Sequence, residues 1–247
     1  MWMKNGLLSV IVPCVNEAQN LPSILGELAK YVTSAEILET IVVDESDDDT
    51  ARVATELSTR YPELDVRVIS PPRPRKGYGA AVRYGLQHAK GRYCVFVAAD
   101  GVDPIHVLPI YISRLKQGAH LVQCSRYSNP GDADTVPFTN RFYQTLFRTL
   151  QRVTLGRQIP DSTYAFKAFD RALIQKLGLT SNRFSISPEI AFKVFLSGGK
   201  MVTIPGSQGV RRRGVSKFKF RKEGYGYLRV ALRAGLHRLG IRWFEDP

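Results

Sequence analysis

Through the first 125 residues, short apolar runs alternate with stretches of helical periodicity, and this rhythm constrains the fold more than any other feature. Leu7 to Pro13 (LLSVIVP) is apolar almost throughout, as a strand covered on both faces must be. Leu21, Ile24, Leu25, Leu28 and Val32 follow at helical spacing. Thr40 to Val43 reads as a second strand, Thr50 to Arg60 as a helix and Val66 to Ile69 as a third strand. Gly77 to Ala89 is the next helix, Arg92 to Val97 a fourth strand, Pro104 to Lys116 a helix and His120 to Cys124 a further strand. Strands alternating with helices in this way predict an α/β fold, a mostly parallel, twisted, Rossmann-like sheet flanked by helices. In such sheets ligands bind beyond the carboxyl ends of the strands. Asp44 and Asp100 both fall at such ends.

Beyond Arg126 the pattern changes. Phe138 to Val153 reads as a helix, Ser162 to Phe169 alternates like a strand, Pro188 to Leu196 is helical and Lys200 to Ile204 is strand-like. No repeat or low-complexity linker divides the 247 residues, so a single main domain over 1–218 is expected, with a basic extension over 219–247. No apolar run approaches the roughly 20 residues that span a bilayer. The first residues lack the layout of a secretory signal, and three scattered cysteines fit a reducing cytoplasm better than a disulfide scaffold. The expected location is therefore cytoplasmic.

Charge narrows the class of partner. The chain carries a net +13, and from Arg211 onward eleven Lys or Arg residues face three acids. Such a field favours a phosphate, an acidic membrane surface or nucleic acid. Within this tail Leu228, Leu232, Leu236, Leu239 and Trp243 fall on one stripe of about 80° at 100° per residue, flanked by arginines. That layout suits a basic amphipathic helix lying peripherally in a membrane interface, or an ordinary helix packed on the domain through its leucines.

Four landmarks occur in order. They are Pro13-Cys14-Val15-Asn16-Glu17, the acid-rich turn Asp44-Glu45-Ser46-Asp47-Asp48-Asp49-Thr50, Ala98-Ala99-Asp100, and Arg211-Arg212-Arg213-Gly214-Val215-Ser216-Lys217. Together they resemble the family 2 glycosyltransferases of GT-A fold, in particular the dolichyl- or polyprenyl-phosphate sugar synthases. The typical pattern there is P-x-Y-N-E, D-D-(G)-S-x-D-G-T, D-x-D and R-x-x-G-x-S-K, and the likeness covers roughly residues 7 to 218.

The resemblance implies a donor pocket for a nucleoside-diphosphate sugar at Pro13, Val15, Glu17, Asp44, Ser46, Lys76 and Asp100. Val15 stands where the family has tyrosine, which weakens stacking on the base. Lys76-Gly77 with Gly79 resembles the family's K-G-x-G-x-A, placed to offer backbone amides to phosphate. Ser125-Arg126-Tyr127 is similar to its S-R-Y, whose arginine is associated with the acceptor phosphate. Arg126, Arg141, Arg211, Ser216 and Lys217 are thus candidates to hold a polyprenyl or dolichyl phosphate, and Asp100, Arg126 and Lys217 to act in catalysis.

The family's D-x-D and a following Gln place a divalent ion, Mg²⁺ or Mn²⁺, on the donor diphosphate. Here the matching positions are Ala98, Asp100 and Val102, so the donor set shrinks to Asp100. Three readings follow: a weak metal site, a metal-free enzyme using cations from Arg75, Lys76 or Arg211 to Arg213, or a degraded relative.

The resemblance implies an inverting hexosyl transfer from a donor of the GDP-mannose or UDP-glucose type. Two alternatives stand beside it. One is the same fold with a hydroxyl acceptor on a glycan or modified nucleic acid, with Asp100 or Asp103 as base. The other is a non-catalytic binder of nucleotide or nucleic acid.

Overall fold

The computed structural model describes residues 7–31, 36–72, 77–129, 131, 136, 138–209, 211 and 220–244. The alternation expected from the sequence appears as β1 (Leu8–Cys14), α1 (Leu21–Tyr31), β2 (Ile37–Asp44), α2 (Thr50–Arg60), β3 (Val66–Ile69), α3 (Tyr78–His88), β4 (Tyr93–Phe96), α4 (Leu108–Lys116) and β5 (Leu121–Ser125). The second half supplies α5 (Phe138–Leu155), β6 (Lys167–Asp170), α6 (Arg171–Leu177), α7 (Ile186–Leu196), β7 (Met201–Pro205) and α8 (Phe220–Arg238).

The seven strands form one sheet in the order β3-β2-β1-β4-β6-β5-β7. β1 pairs in parallel with β2 and β4, β2 with β3, and β5 with β7. Only β6 runs against its neighbours, between β4 and β5. The sheet is therefore mostly parallel, as the alternation requires. Its apolar strands are buried on both faces by two separate clusters. Val10, Val12, Val95 and Val122 pack beneath α1 and α4, while Ile11, Ile41, Phe96 and Phe169 pack beneath α3 and α7.

Two features depart from the sequence reading. The strand expected over Ser162 to Phe169 is confined to Lys167–Asp170. Asp161 takes a left-handed conformation (φ 45°) and starts a turn. Within it Ser162 accepts a bond from Gln151 and Thr163 donates one to Gln144, both on α5. Side-chain bonds to a helix thus replace the ladder that simple alternation suggests. Helix α6 is not announced by the apolar pattern; the Asp170 carboxylate accepts the Leu173 N–H and caps it.

α7 is buried along nearly its whole length, including Glu189 and Lys193, which pair one turn apart. Glu189 also accepts the backbone N–H groups of Thr180 and Ser181, so its role is to hold that turn. α8 lies on α5 and α7, and its buried face is Tyr227, Val230, Ala231 and Ala234. The leucine stripe is not that face: Leu228, Leu232 and Leu236 look outward. Packing through the leucines is thereby corrected. Small residues at 231 and 234 let α8 approach more closely than leucines would.

Candidate active site

β1 has β2 on one side and β4 on the other, so the connections leave it in opposite directions. A crevice opens at such a switch point, beyond the carboxyl ends of the strands. A cavity of about 970 Å³ occupies it here, lined by Pro13, Val15 and Glu17 after β1, Glu45 after β2 and the 98–103 segment after β4.

The first two landmarks interlock. Asn16 is left-handed (φ 56°), a conformation asparagine tolerates better than most residues. Its N–H donates to Ser46 Oγ (2.7 Å), and its Oδ1 accepts the Asp47 N–H (3.0 Å). The Glu17 N–H donates to Thr50 Oγ1, and Glu17 Oε2 accepts from Asn20 Nδ2. Asp44 is buried and its Oδ1 accepts the Ser46 N–H. Asp44 and Ser46 therefore brace the loops, whereas Pro13, Val15 and Glu17 line the cavity. Glu45, part of the second landmark but not among the expected donor-binding residues, lines it as well.

Gly77 opens α3 with φ 99°, and a Cβ there would lie 3.0 Å from the Asn182 carbonyl. Only glycine fits both constraints. Lys76, Arg75, Arg212, Arg213, Ser216 and Lys217 lie outside the described residues.

After β4, Asp100 Oδ2 accepts a hydrogen bond from Arg211 Nη2 in an ion pair, and Oδ1 accepts the Val102 N–H. Asp103 Oδ2 accepts the Ala98 N–H (2.7 Å). Asp103 is buried; that burial, with the charge of Asp100 beside it, pushes its carboxyl up to about 7. A divalent ion on a donor diphosphate takes most of its oxygens from phosphate and water and needs one or two carboxylates from the protein. Ala98 and Val102 offer only methyl groups, Asp100 is engaged by a guanidinium, and Asp103 is raised toward neutrality. Among the described residues, no group of three potential ligands comes together.

Arg126 follows β5 and also lines the cavity. Nε donates to Asp161 Oδ2 (2.7 Å) and Nη2 to Asp161 Oδ1 (2.8 Å), with Nη1 on Gln208 Oε1 (2.8 Å). Three of its five N–H donors are thus committed within the protein. Its guanidinium lies 4.4 Å from the centre of the Tyr164 ring. Burial opposes ionisation of Asp161, but the Arg126 guanidinium prevails and holds the carboxyl below its ordinary range. Lys167, fully buried next to this pair, is lowered by burial to about 7. Arg141 lies apart from the cavity lining, its Nε donating to the Val136 carbonyl.

The cavity does not end at the strand termini. Tyr143, Leu146, Phe147 and Leu150 of α5 and Tyr227 and Leu228 of α8 continue its wall. Phe147 and Tyr227 meet edge to face, 5.5 Å between centroids. One cavity thus joins the strand ends, three arginines (Arg126, Arg183 and Arg211) and an apolar stretch. Gln208 and the α8 residues escape a reading of the sequence because no short motif marks them. The periodicity of α5 and α8 is legible there, but not which helix faces the site.

Comparisons with known proteins agree with this geometry. The family model described as "Glycosyl transferase family 2" matches residues 9–178. A dolichol-phosphate mannosyltransferase of Pyrococcus furiosus is 32% identical over 214 residues, 86% of this chain but 59% of that protein, so the chain spans well under two thirds of that relative. A polyprenol monophosphomannose synthase of Mycolicibacterium smegmatis is 31% identical, covering 84% of this chain and 79% of the other. Among solved structures, glucosyl-3-phosphoglycerate synthase from Mycobacterium tuberculosis, in complex with Mn²⁺, UDP-glucose and phosphoglyceric acid, superposes with a TM-score of 0.66. That alignment covers 96% of this chain and 81% of that one at 23% identity, a likeness of fold alone.

Proposed function

The chain belongs to glycosyl transferase family 2, and we propose that it moves a hexose from a nucleoside-diphosphate sugar, of the GDP-mannose or UDP-glucose type, to a polyprenyl or dolichyl phosphate. The observation that carries this reading is the composite cavity. A nucleotide fits the strand ends, an anionic phosphate fits Arg126 and Arg211, and an isoprenoid chain fits the apolar wall from α5 and α8. The names of the Pyrococcus and Mycolicibacterium relatives support the same acceptor class. Nucleic acid fits less well, because a duplex has no use for an apolar extension of the site.

In this reading residues 1–218 carry the chemistry. An oxygen of the acceptor phosphate attacks the anomeric carbon in line. The bond from that carbon to the diphosphate breaks, and its electron pair leaves on the nucleoside diphosphate. A phosphate acceptor is already ionised at neutral pH, so no base has to remove a proton. Catalysis then consists of holding two anions together and stabilising the charge that builds on the leaving diphosphate. Arg211 would stabilise that charge: its guanidinium pairs with Asp100, the position where the family's D-x-D holds a metal. By the family resemblance Lys76, Ser216 and Lys217 would add cations and a hydroxyl, and Arg126 would present its remaining N–H donors to the acceptor.

A hydroxyl acceptor is the second reading. Asp103, with a carboxyl raised to about 7, is a carboxylate in the cavity suited to act as base. Peripheral attachment to the cytoplasmic face of a membrane accompanies the main reading. Among the described residues no helix is long and apolar enough to cross one.

The test is turnover. Labelled GDP-mannose and UDP-glucose, incubated with detergent-dispersed short-chain polyprenyl phosphate, should yield a labelled glycolipid from one donor, and EDTA should leave much of the rate in place. No glycolipid from either donor, with sugar appearing instead on a glycan acceptor, overturns the phosphate assignment. Abolition by EDTA with full rescue by Mn²⁺ overturns the role given to Arg211.

A further inference from the structure

On α5, Phe138, Phe142, Leu146 and Val153 fall within about 80° of one another at 100° per residue. On α8 and just after it, Leu228, Leu232, Leu236 and Leu239 do the same. All eight are between 43% and 81% exposed. The two helices lie side by side and run in the same direction: Phe147 meets Tyr227, and seven residues further on Thr154 accepts a bond from Arg238. Each stripe lies roughly opposite the buried face of its own helix, Gln144, Gln151 and Leu155 on α5 and Val230, Ala231 and Ala234 on α8. Both stripes therefore look outward together as one apolar platform. Scattered surface leucines need no explanation, but two adjacent exposed stripes do.

Basic residues bracket the platform. Exposed Arg152 lies on the flank of α5 away from α8, where Arg148 is folded over the Tyr127 ring, and Arg229 and Arg233 lie on the flank of α8 away from α5. On that second flank a cavity of about 500 Å³ is lined by Arg183, Arg229, Arg233 and Trp243. The indole Nε1 of Trp243 is buried there without a hydrogen-bond partner. The nearby acids are already engaged: Glu223 pairs with Arg183, and Glu189 with Lys193.

We infer that the α5–α8 platform docks this protein on an anionic bilayer. Its leucines and phenylalanines enter the acyl boundary, and a lipid phosphate is received by the arginine-lined cavity beside α8. Three things favour a bilayer over a second copy of the chain. The apolar stripe is framed by cations on both sides, the layout in which arginines reach headgroups while their stems cover apolar surface. A second copy would set these like charges against each other. The platform is also continuous with the active-site cavity, since Leu146 and Leu228 belong to both. A polyprenyl phosphate embedded in the bilayer could then pass sideways into the site without crossing water. This last point rests on the acceptor proposed above; the docking itself does not.

The experiment is flotation of the purified full chain with vesicles of phosphatidylcholine alone or mixed with phosphatidylglycerol. The wild type should float with the mixed vesicles and weakly with the neutral ones. Leu232→Ser/Leu236→Ser should lower vesicle affinity about tenfold or more, with thermal melting and turnover on detergent-dispersed acceptor unchanged. Arg229→Gln/Arg233→Gln should abolish the preference for phosphatidylglycerol. Wild type that stays with the soluble fraction overturns the inference, as does a leucine variant that floats like wild type. So does a dimer in sedimentation velocity that dissociates on the leucine change while vesicles go unbound. Flotation as expected without any glycolipid from dispersed acceptor upholds the docking and counts against the transfer reaction instead.

Discussion

Replacing Arg126 by methionine removes a guanidinium from a carboxylate that has no access to water. Asp161 is 0% exposed, and the fork contributes bonds of 2.7 and 2.8 Å. What remains to Asp161 is the Arg126 backbone N–H at 2.9 Å, the Thr163 hydroxyl at 3.4 Å and the charge of Lys167. Breaking a buried pair from one side costs about 3–5 kcal/mol, because the partner is left charged in a poorly solvating site. For a domain of this size each kcal/mol shifts Tm by about 2–4 °C, so a fall of roughly 10 °C is expected. The effect must also depend on pH. In the native protein Asp161 is held below the ordinary carboxylate range. It therefore adds stability that is present above the unfolded pKa of about 3.9 and lost as pH falls through the native value. Without Arg126, burial pushes the same carboxyl upward, so its contribution becomes a penalty at neutral pH. Urea unfolding followed by circular dichroism at neutral pH and near pH 4 should show the larger loss at neutral pH. Arg126→Met/Asp161→Leu should recover a good part of it. A loss under about 1 kcal/mol, or one equal at both pH values, refutes the account of Arg126 as a buried clamp.

Three further outcomes follow from the same geometry. Asp103 titrates near 7 when folded and near 4 when unfolded, so stability should fall as pH rises between those values and then level off; Asp103→Asn should remove that slope in unfolding curves. Gly85→Ala would put a methyl 2.6 Å from Ile11 Cγ2 and 2.9 Å from Val43 Cγ2, where α3 lies on the sheet, and should cost about 1–3 kcal/mol in chemical denaturation. Ala98→Asp restores a carboxylate near Asp100 and should raise Mn²⁺ affinity by about tenfold or more in titration calorimetry; no change would mean that Ala98 is not what weakens the donor set.

Much of the fold was legible because a parallel sheet must be built from apolar runs, and such runs are hard to imitate. Helix α2 and strand β3 lie where the pattern puts them, residue for residue. Asp100 and Arg126 could be found because each follows a strand in a fold whose ligands sit at strand ends. Their partners could not. Asp100 meets Arg211 across 111 positions of sequence, and Arg126 meets Asp161 across 35. No local spacing encodes either distance. The turn at 161–164 misled for a related reason. Alternating polar and apolar residues also describe a segment whose polar side chains bond to a neighbouring helix. The leucine stripe of α8 was visible, but its outward direction depends on Ala231 and Ala234, small residues that carry little weight in a hydropathy pattern.

The place of β6 between β4 and β5 bears on how the chain can come together. Until Lys167–Asp170 arrives, β4 and β5 have no strand to join them, and each offers an unpaired apolar edge. The first 125 residues can form the β3-β2-β1-β4 half by themselves, yet β5 must wait for a strand more than forty positions later in the chain. Such distant pairing slows folding and leaves a growing chain open to misassociation. Because Asp161 is on the approach to that strand, the Arg126 clamp cannot form before the chain has reached β6. An incomplete chain would therefore hold the crevice at the ends of β1 and β4 before the Arg126 clamp stood beside it.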